Sequence, residues 1–291
     1  MEIRVLRYFL AIAREENMTR AAQRLHVSQP SLSKEIRRLE EELGHALFIR
    51  TSKSMRLNEE GMLLRRRAED ILAMVDKTAE EFRELDNIIG GEIRIGCAES
   101  HLIKYLARSL KAFKAQYPHF VFHIFSGDTD PVAERLERGL LDLAVIVEPP
   151  NLSRYNYLTI PESDRWGLVV RSDDKLAAKD CVTLDDLFGL PLFCSEQSIR
   201  VDFPRWCGDQ MDRLQFAGTV NLAYNGSVLV REGLGYLLSF DRLIDTSEGS
   251  GLRFLPIVPT LETHMFIIWN KYQVFSPIAQ RFLDALREEY Q

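Results

Sequence analysis

Residues Thr19 to Leu43 read TRAAQRLHVSQPSLSKEIRRLEEEL and contain two helix starts nine residues apart, at Thr19 and Ser28. A hydroxyl at either position can accept a hydrogen bond from an amide of the following first turn, which has no intrahelical partner. The first helix is short, with Ala21, Ala22 and Leu25 inward and His26-Val27 as the turn. The second opens Ser28-Gln29-Pro30, and proline is tolerated there because first-turn amides are unpaired in any case. Leu32, Ile36, Leu39 and Leu43 then recur at intervals that place them on one helical face, with Gln29, Ser33, Lys34 and Arg37 opposite. A short helix, a tight turn and a second helix with a polar, basic outer face fit a helix-turn-helix, whose second helix enters the DNA major groove. Two ordinary amphipathic helices are the plainer alternative. The small residues Ala21, Ala22, Ser31 and Ser33, which allow close approach, favour DNA binding.

Outward from this motif, Val5, Leu6, Phe9, Leu10 and Ala13 make an apolar face able to roof it. After Gly44, the runs 45–50 and 51–57 flank a polar turn and read as a small hairpin, or wing, offering Arg50, Lys53 and Arg56 to phosphates or a minor groove. From Asn58, a plausible cap, to about Ile89 only Gly61 interrupts a helical pattern. Leu64, Ile71, Thr78 and Leu85 repeat every seventh residue, as do Ala68, Val75, Phe82 and Ile89. This pattern predicts a coiled-coil seam and self-association.

Gly90-Gly91 ends that helix. Beyond it, strands are expected at 92–97, 120–126, 143–147, 166–171, 192–194, 216–220, 235–239 and 264–269, and helices near 101–116, 129–139, 199–211, 226–232 and 277–289. Nearly all-apolar strands alternating with helices imply mostly parallel sheets covered on both faces. Residues 148–164, with Pro149, Pro150 and Pro161, read as a passage between two α/β halves, and the last helix suggests a return to the first.

The 291 residues carry a net charge of −6, but residues 1–58 hold eleven Lys/Arg against seven Asp/Glu, a balance of +4 that leaves −10 for the remainder. A basic head on an acidic body suits local attraction to phosphate. No apolar run approaches the ~20 residues of a membrane helix. The first residues, Met1-Glu2-Ile3-Arg4, do not resemble an export signal, so a cytoplasmic protein is expected. Cys97, Cys181, Cys194 and Cys207 have no zinc-ligand spacing and are expected to be reduced. There is no Gly-x-Ser-x-Gly elbow, phosphate-binding loop or metal-ligand histidine pair, so neither an enzyme nor a resident cofactor is expected.

Phe9, Ala21-Ala22, Leu25, Ser28-Gln29-Pro30-Ser31-Leu32-Ser33, Ile36, Leu39-Glu40, Leu43-Gly44, Leu47-Phe48 and Arg50 together resemble the LysR-type transcriptional regulators. Gly96, Leu136-x-x-Gly139-x-Leu141-Asp142-Leu143-Ala144 and Gly233-x-Gly235 extend the resemblance over the chain. It implies a helix-rich winged helix-turn-helix at 1–58 and a long linker (dimerisation) helix at 59–89. The remainder, 90–291, would be an α/β effector domain of two lobes, like a periplasmic binding protein: about 90–161 with 269–291, and about 162–268. It also implies a homodimer, commonly paired into a homotetramer, on an imperfect inverted-repeat operator, with RNA polymerase a further partner and a small-molecule co-inducer between the lobes. By motif position Gln29, Pro30, Ser33 and Lys34 would face bases, while Arg50 and Lys53 in the wing would meet phosphate or minor groove; Ser31 and Arg37 are further DNA-binding candidates.

Effectors of such lobes are expected outside the carboxyl ends of strands. The first strand ends Ala98-Glu99-Ser100-His101, and Ser100 is the first candidate because the resembled family places Ser or Thr there; it would equally serve as a plain helix cap. Glu99 would disfavour a small carboxylate if it points inward. Other strand ends offer Asp128, Thr129, Glu148, Ser195 and Asn225. Two alternatives stand beside this reading: a redox sensor of the same family using Cys194 and Cys207, and a two-lobed solute-binding module.

Overall fold

The computed structural model describes residues 1–50, 54–84, 90–147 and 152–290. Two compact units divide the chain, Met1–Arg83 and Glu84–Gln291.

In the first unit, α1 (Ile3–Glu15), α2 (Met18–Arg24) and α3 (Gln29–Leu43) enclose Leu6, Phe9, Ile12, Ala21, Ala22, Leu32, Ile36 and Leu39, all buried. The cap of α2 is Asn17 rather than Thr19: its side-chain oxygen accepts from the amides of Thr19 and Arg20, both at 3.0 Å. Thr19 lies one residue inside the helix. Ser28 caps α3 as expected, accepting from the Ser31 amide at 3.2 Å. Between them His26 takes the left-handed conformation, φ 54°, which turns the chain tightly. Leu43 departs from the expected buried stripe and is 38% exposed at the end of α3, where Gly44 (φ 73°) terminates the helix.

The wing is an antiparallel hairpin of β1 (Phe48–Arg50) and β2 (Met55–Leu57), with Ile49 opposite Arg56. Glu40 anchors it from α3, its carboxylate accepting from the Leu47 amide at 2.9 Å. Asn58 caps α4 (Glu59–Glu84), accepting from the Gly61 amide at 2.8 Å. Gly61, seen in the sequence only as an interruption, permits a close approach: a Cβ there would lie 2.1 Å from the Leu47 carbonyl oxygen. Leu64, Ala68, Ile71 and Leu72 pack on the unit's own core, so the first half of the heptad pattern covers the winged domain. Phe82, in the same register, is 69% exposed. Leu85 and Ile89 lie outside the described residues.

In the second unit the first sheet runs in the order β4 (His119–Ser126), β3 (Gly90–Cys97), β5 (Leu143–Val147), β12 (Glu262–Asn270) and β6 (Tyr155–Arg171). β3 is parallel to β4 and β5, whereas β12 is antiparallel to both β5 and β6. The helices α5 (Ile103–Gln116), α6 (Thr129–Glu137) and α11 (Pro277–Tyr290) accompany these strands. Residues 155–164 of the expected passage are strand. Pro161 is accommodated because β6 bulges there: the pairing of His264 with Ser163 jumps to Phe266 with Thr159, leaving no ladder amide for Pro161 to supply.

The last residues of β6 continue into a second sheet, flanked by β10 (Tyr236–Phe240) on one side and β11 (Leu252–Val258) on the other. Beyond β10 come β8 (Pro191–Cys194) and β9 (Gln215–Thr219), in parallel, and β11 pairs the short β7 (Val182–Thr183). The helices here are α7 (Leu184–Leu187), α8 (Glu196–Arg200), α9 (Asp202–Cys207) and α10 (Ala223–Arg231). The single helix expected at 199–211 is thus broken. Ser195 starts α8 by accepting from the Ser198 amide at 3.1 Å, Pro204 sits in the first turn of α9, and Gly208 (φ 55°) ends it. β11, broken in sequence by Pro256, was not expected.

Candidate functional site

Two surfaces emerge, one in each unit. On α3, Gln29, Pro30, Ser31, Lys34 and Arg37 are exposed and Ser33 is half-buried. Several other cations of this unit are paired: Arg7 with Asp76 at 2.7 Å, Arg24 with Glu15 at 2.8 Å, Arg65 with Glu69 at 3.1 Å. Among the described residues Lys34 and Arg37 have no such partner, so their charge remains available to phosphates or base edges. Arg50 ends β1, while Lys53 lies outside the described residues.

In the second unit the carboxyl ends of β3, β5 and β8, the segment 127–129 and β10 surround a cleft that opens to solvent. From the first sheet come Ala98, Glu99, Gly127, Asp128, Thr129 and Val147. From the second come Ser195, Gln197 and Ser198, and an apolar wall that includes Trp166, Leu237, Phe240 and Leu243. Trp166 stacks edge-on against Phe240, centroids 4.4 Å apart, and its indole N–H donates to Thr263 at 2.8 Å.

The two sides hold each other. The Gln197 carboxamide accepts from the Thr129 amide at 2.9 Å and donates to the Thr129 hydroxyl at 3.1 Å. Arg200 pairs with Asp130 at 3.2 Å. Glu99 reaches across, and its carboxylate accepts from the amide of Ala223, the first residue of α10, at 2.7 Å. That position suits an anion, because first-turn amides are unpaired and the helix dipole is positive there. Asp128 does not cap α6. Burial first, then the neighbouring carboxylates Asp130 and Glu196, raise its pKa above the usual range, against the pull of Arg200.

Of the residues selected from sequence, the structure brings Ala98, Glu99, Asp128, Thr129 and Ser195 into this one cleft. Ser100 is turned away: its buried hydroxyl donates to Asp164 at 2.5 Å and accepts from the Leu102 amide at 2.8 Å. His101 lines a separate depression with Glu162, Asp164 and Asp241. Asn225 lies on α10, and Asn221 and Ala223 line the cleft instead. Glu148 lies outside the described residues. Sequence reading missed Gln197, whose signal was the Ser195-x-x-Ser198 cap that starts α8 three residues earlier than expected. It also missed the apolar wall, because Trp166, Leu237 and Phe240 look like ordinary strand core.

Cys97, Cys194 and Cys207 are buried and Cys181 is exposed. Burial pushes the thiol of Cys97 up to about 12, that of Cys207 up to about 11, and that of Cys194 strongly upward, with Asp202 adding to it. A redox-sensing pair requires accessible thiolate, so the Cys194/Cys207 alternative is not favoured.

The family model described as bacterial regulatory helix-turn-helix protein, lysR family, matches residues 3–62, and that of the LysR substrate binding domain matches residues 88–291. The chain is 27% identical to the uncharacterized HTH-type transcriptional regulator YcgK of Bacillus subtilis (strain 168), over 99% of this chain and 94% of that protein. It is 29% identical to the uncharacterized HTH-type transcriptional regulator YnfL of Escherichia coli (strain K12), over 99% of each. Among solved structures, CbnR, a LysR family transcriptional regulator, superimposes with a TM-score of 0.77 at 22% identity, covering 100% of both chains. Full-length CbnR complexed with its target DNA gives 0.76 at 23% identity, covering 99% of each. With a helix-turn-helix match at 3–62, the solute-binding alternative is not favoured either.

Proposed function

The chain belongs to the LysR family of transcriptional regulators, DNA-binding proteins with an effector-binding domain, and on that premise we propose how its residues divide the work. Helix α3 enters the major groove of an operator with an imperfect inverted repeat. Gln29, Pro30, Ser33 and Lys34 meet base edges, Ser31 and Arg37 lie beside them, and Arg50 and Lys53 engage the backbone or minor groove. The observation that supports this is the exposed face of α3 on which Lys34 and Arg37 are unpaired among the described residues. Two copies pair through α4, and dimers pair into a tetramer. The protein acts in the cytoplasm, where it meets DNA and RNA polymerase.

A small molecule binds in the cleft between two lobes, one formed by about 90–161 with the C-terminal segment and the other by the residues between. A ligand shifts a conformational equilibrium only by its differential affinity for the two states. Contacts such as Gln197–Thr129 and Glu99–Ala223, which cross the cleft, are where that difference would arise.

Fluorescence anisotropy with DNA from the flanks of the protein's own gene tests the reading surface. Lys34→Ala and Ser33→Ala should each weaken binding to a specific site about tenfold or more, at ~1–3 kcal/mol per base contact, and leave binding to unrelated DNA nearly unchanged. Equal affinity of parent and both variants for the site would remove α3 from the role assigned to it.

A further inference from the structure

The cleft has a one-sided charge. Glu99 and Asp128 are the acidic residues that line it, and among the described residues no lysine, arginine or histidine does. The carboxylates of Asp130 and Glu196 stand close enough to Asp128 to raise its pKa, and the nearby cation, Arg200, is already paired with Asp130 at 3.2 Å. The one feature that would welcome an anion, the amino end of α10, is filled from within by Glu99 at 2.7 Å. An incoming carboxylate or phosphate would have to displace Glu99 into a space without a cation to receive it, close to Asp128. Asp128, by contrast, makes no capping hydrogen bond to α6 and has no ion-pair partner among the described residues. Facing these acids is the apolar wall of Trp166, Leu237, Phe240 and Leu243.

We propose that this cleft selects a small organic cation, an amine or guanidinium carried on an apolar body, with Asp128 as the charge anchor and Glu99 as the residue that excludes anions. The proposal rests on the cleft being the effector site. A positive head beside Asp128 supplies the counter-charge that Arg200, engaged with Asp130, gives only in part, in a half-buried setting. The apolar body gains by leaving water against the aromatic wall, where the Trp166 and Phe240 rings can also attract the cation. Glu99 opposes any anion twice, by repulsion and by holding the α10 amide.

The test uses the full chain and matched probes: phenethylamine, tyramine, agmatine and cadaverine, each beside the carboxylate of similar length and body. Calorimetric titration should give binding for one or more of the amines and none for the matched acids. Asp128→Asn should weaken amine binding at least tenfold, while Asp128→Glu, which keeps the charge, should retain most of it. Glu99→Gln should narrow the preference of amine over acid. Circular dichroism of each variant reports that it folds, and the Asn/Glu comparison separates charge from damage. Binding of the acids as tightly as the amines, binding of no amine in the series, or equal binding by the Asn and Glu variants each overturns the proposal. Asn221→Trp, at the exposed rim of the cleft, separates this inference from the reading beneath it. Acid binding abolished by Asn221→Trp would keep the cleft as the site and discard the charge preference. Amine binding untouched by it would discard the cleft itself.

Discussion

At the scale of single residues, the structure reassigns two polar side chains, one expected at the ligand and one expected as a helix cap. Ser100 stands at the strand end where a ligand contact was expected, yet its hydroxyl is used twice internally, and its acceptor is Asp164. Asp164 is buried, and burial pushes its pKa from 3.8 up to about 6, although the Ser100 hydroxyl and Lys104 pull it down. A carboxyl raised in the folded state binds its proton more tightly there than in the unfolded chain. Its ionisation therefore costs stability progressively as pH rises from the unfolded value through the folded one. Asp164→Asn, which keeps an acceptor for Ser100, removes that dependence. Relative to the variant, the parent should lose on the order of 1 kcal/mol between pH 5 and pH 7.5. Denaturant unfolding at the two pH values measures it, and a pH-independent difference would count against an ionising Asp164. The other reassignment, from Thr19 to Asn17 as the cap of α2, follows from geometry the sequence left open. Both residues are good caps, and only the position of the preceding turn chooses between them.

At the scale of elements, α4 shows how one heptad pattern can cover a domain's own core along part of its length. The repeat is present, but Leu64, Ala68 and Ile71 close the core of the winged domain, and the geometry that brings α4 there requires Gly61. The self-association proposed for this helix therefore falls to its later half, where Phe82 is exposed in register with Val75. Phe82→Glu should raise the dimer dissociation constant at least tenfold and leave the winged domain folded, since a buried seam position tolerates charge poorly. Sedimentation over a concentration series decides; unchanged association would move the interface elsewhere. Gly61→Ala should act in the opposite pattern. It should destabilise the first unit by ~1–3 kcal/mol through overpacking against the Leu47 carbonyl. Thermal unfolding reports it, and an unaltered midpoint would show that the approach can relax. β6 teaches a related lesson. Pro161 argued against a strand, and the bulge in β6 at Pro161, formed against β12 from about 100 residues further along, is what makes the strand possible.

At the scale of the whole molecule, the second unit joins two sheets through β6 and ties the cleft between them with its own side chains. Gln197 makes two hydrogen bonds to Thr129, each worth ~0.5–1.5 kcal/mol net. Gln197→Ala should accordingly speed exchange of the Thr129 amide by roughly five- to thirtyfold, the factor corresponding to ~1–2 kcal/mol. Amides in the centres of β5 and β8 should exchange as before. Hydrogen exchange read by NMR or mass spectrometry supplies the comparison, and uniform change across both sheets would indicate loss of the fold in place of local opening.

What the sequence by itself determined is whatever depends on near neighbours in the chain. Helix caps such as Ser28 and Asn58, the apolar period of α3, the wing, the alternation of strands and helices and the family all follow from residues a few positions apart. The cleft was legible only where it coincides with strand ends, at Ala98, Glu99, Asp128, Thr129 and Ser195. The tertiary structure alone decided which way Glu99 and Ser100 point, because their partners Ala223 and Asp164 lie 124 and 64 residues away. It alone decided that Gln197 meets Thr129, 68 residues away, and that Trp166 and Phe240 wall a cleft. Local spacing fixes backbone hydrogen bonds and helical faces, but the charge and shape of a site between two sheets are set by long-range packing, which no short window of sequence contains.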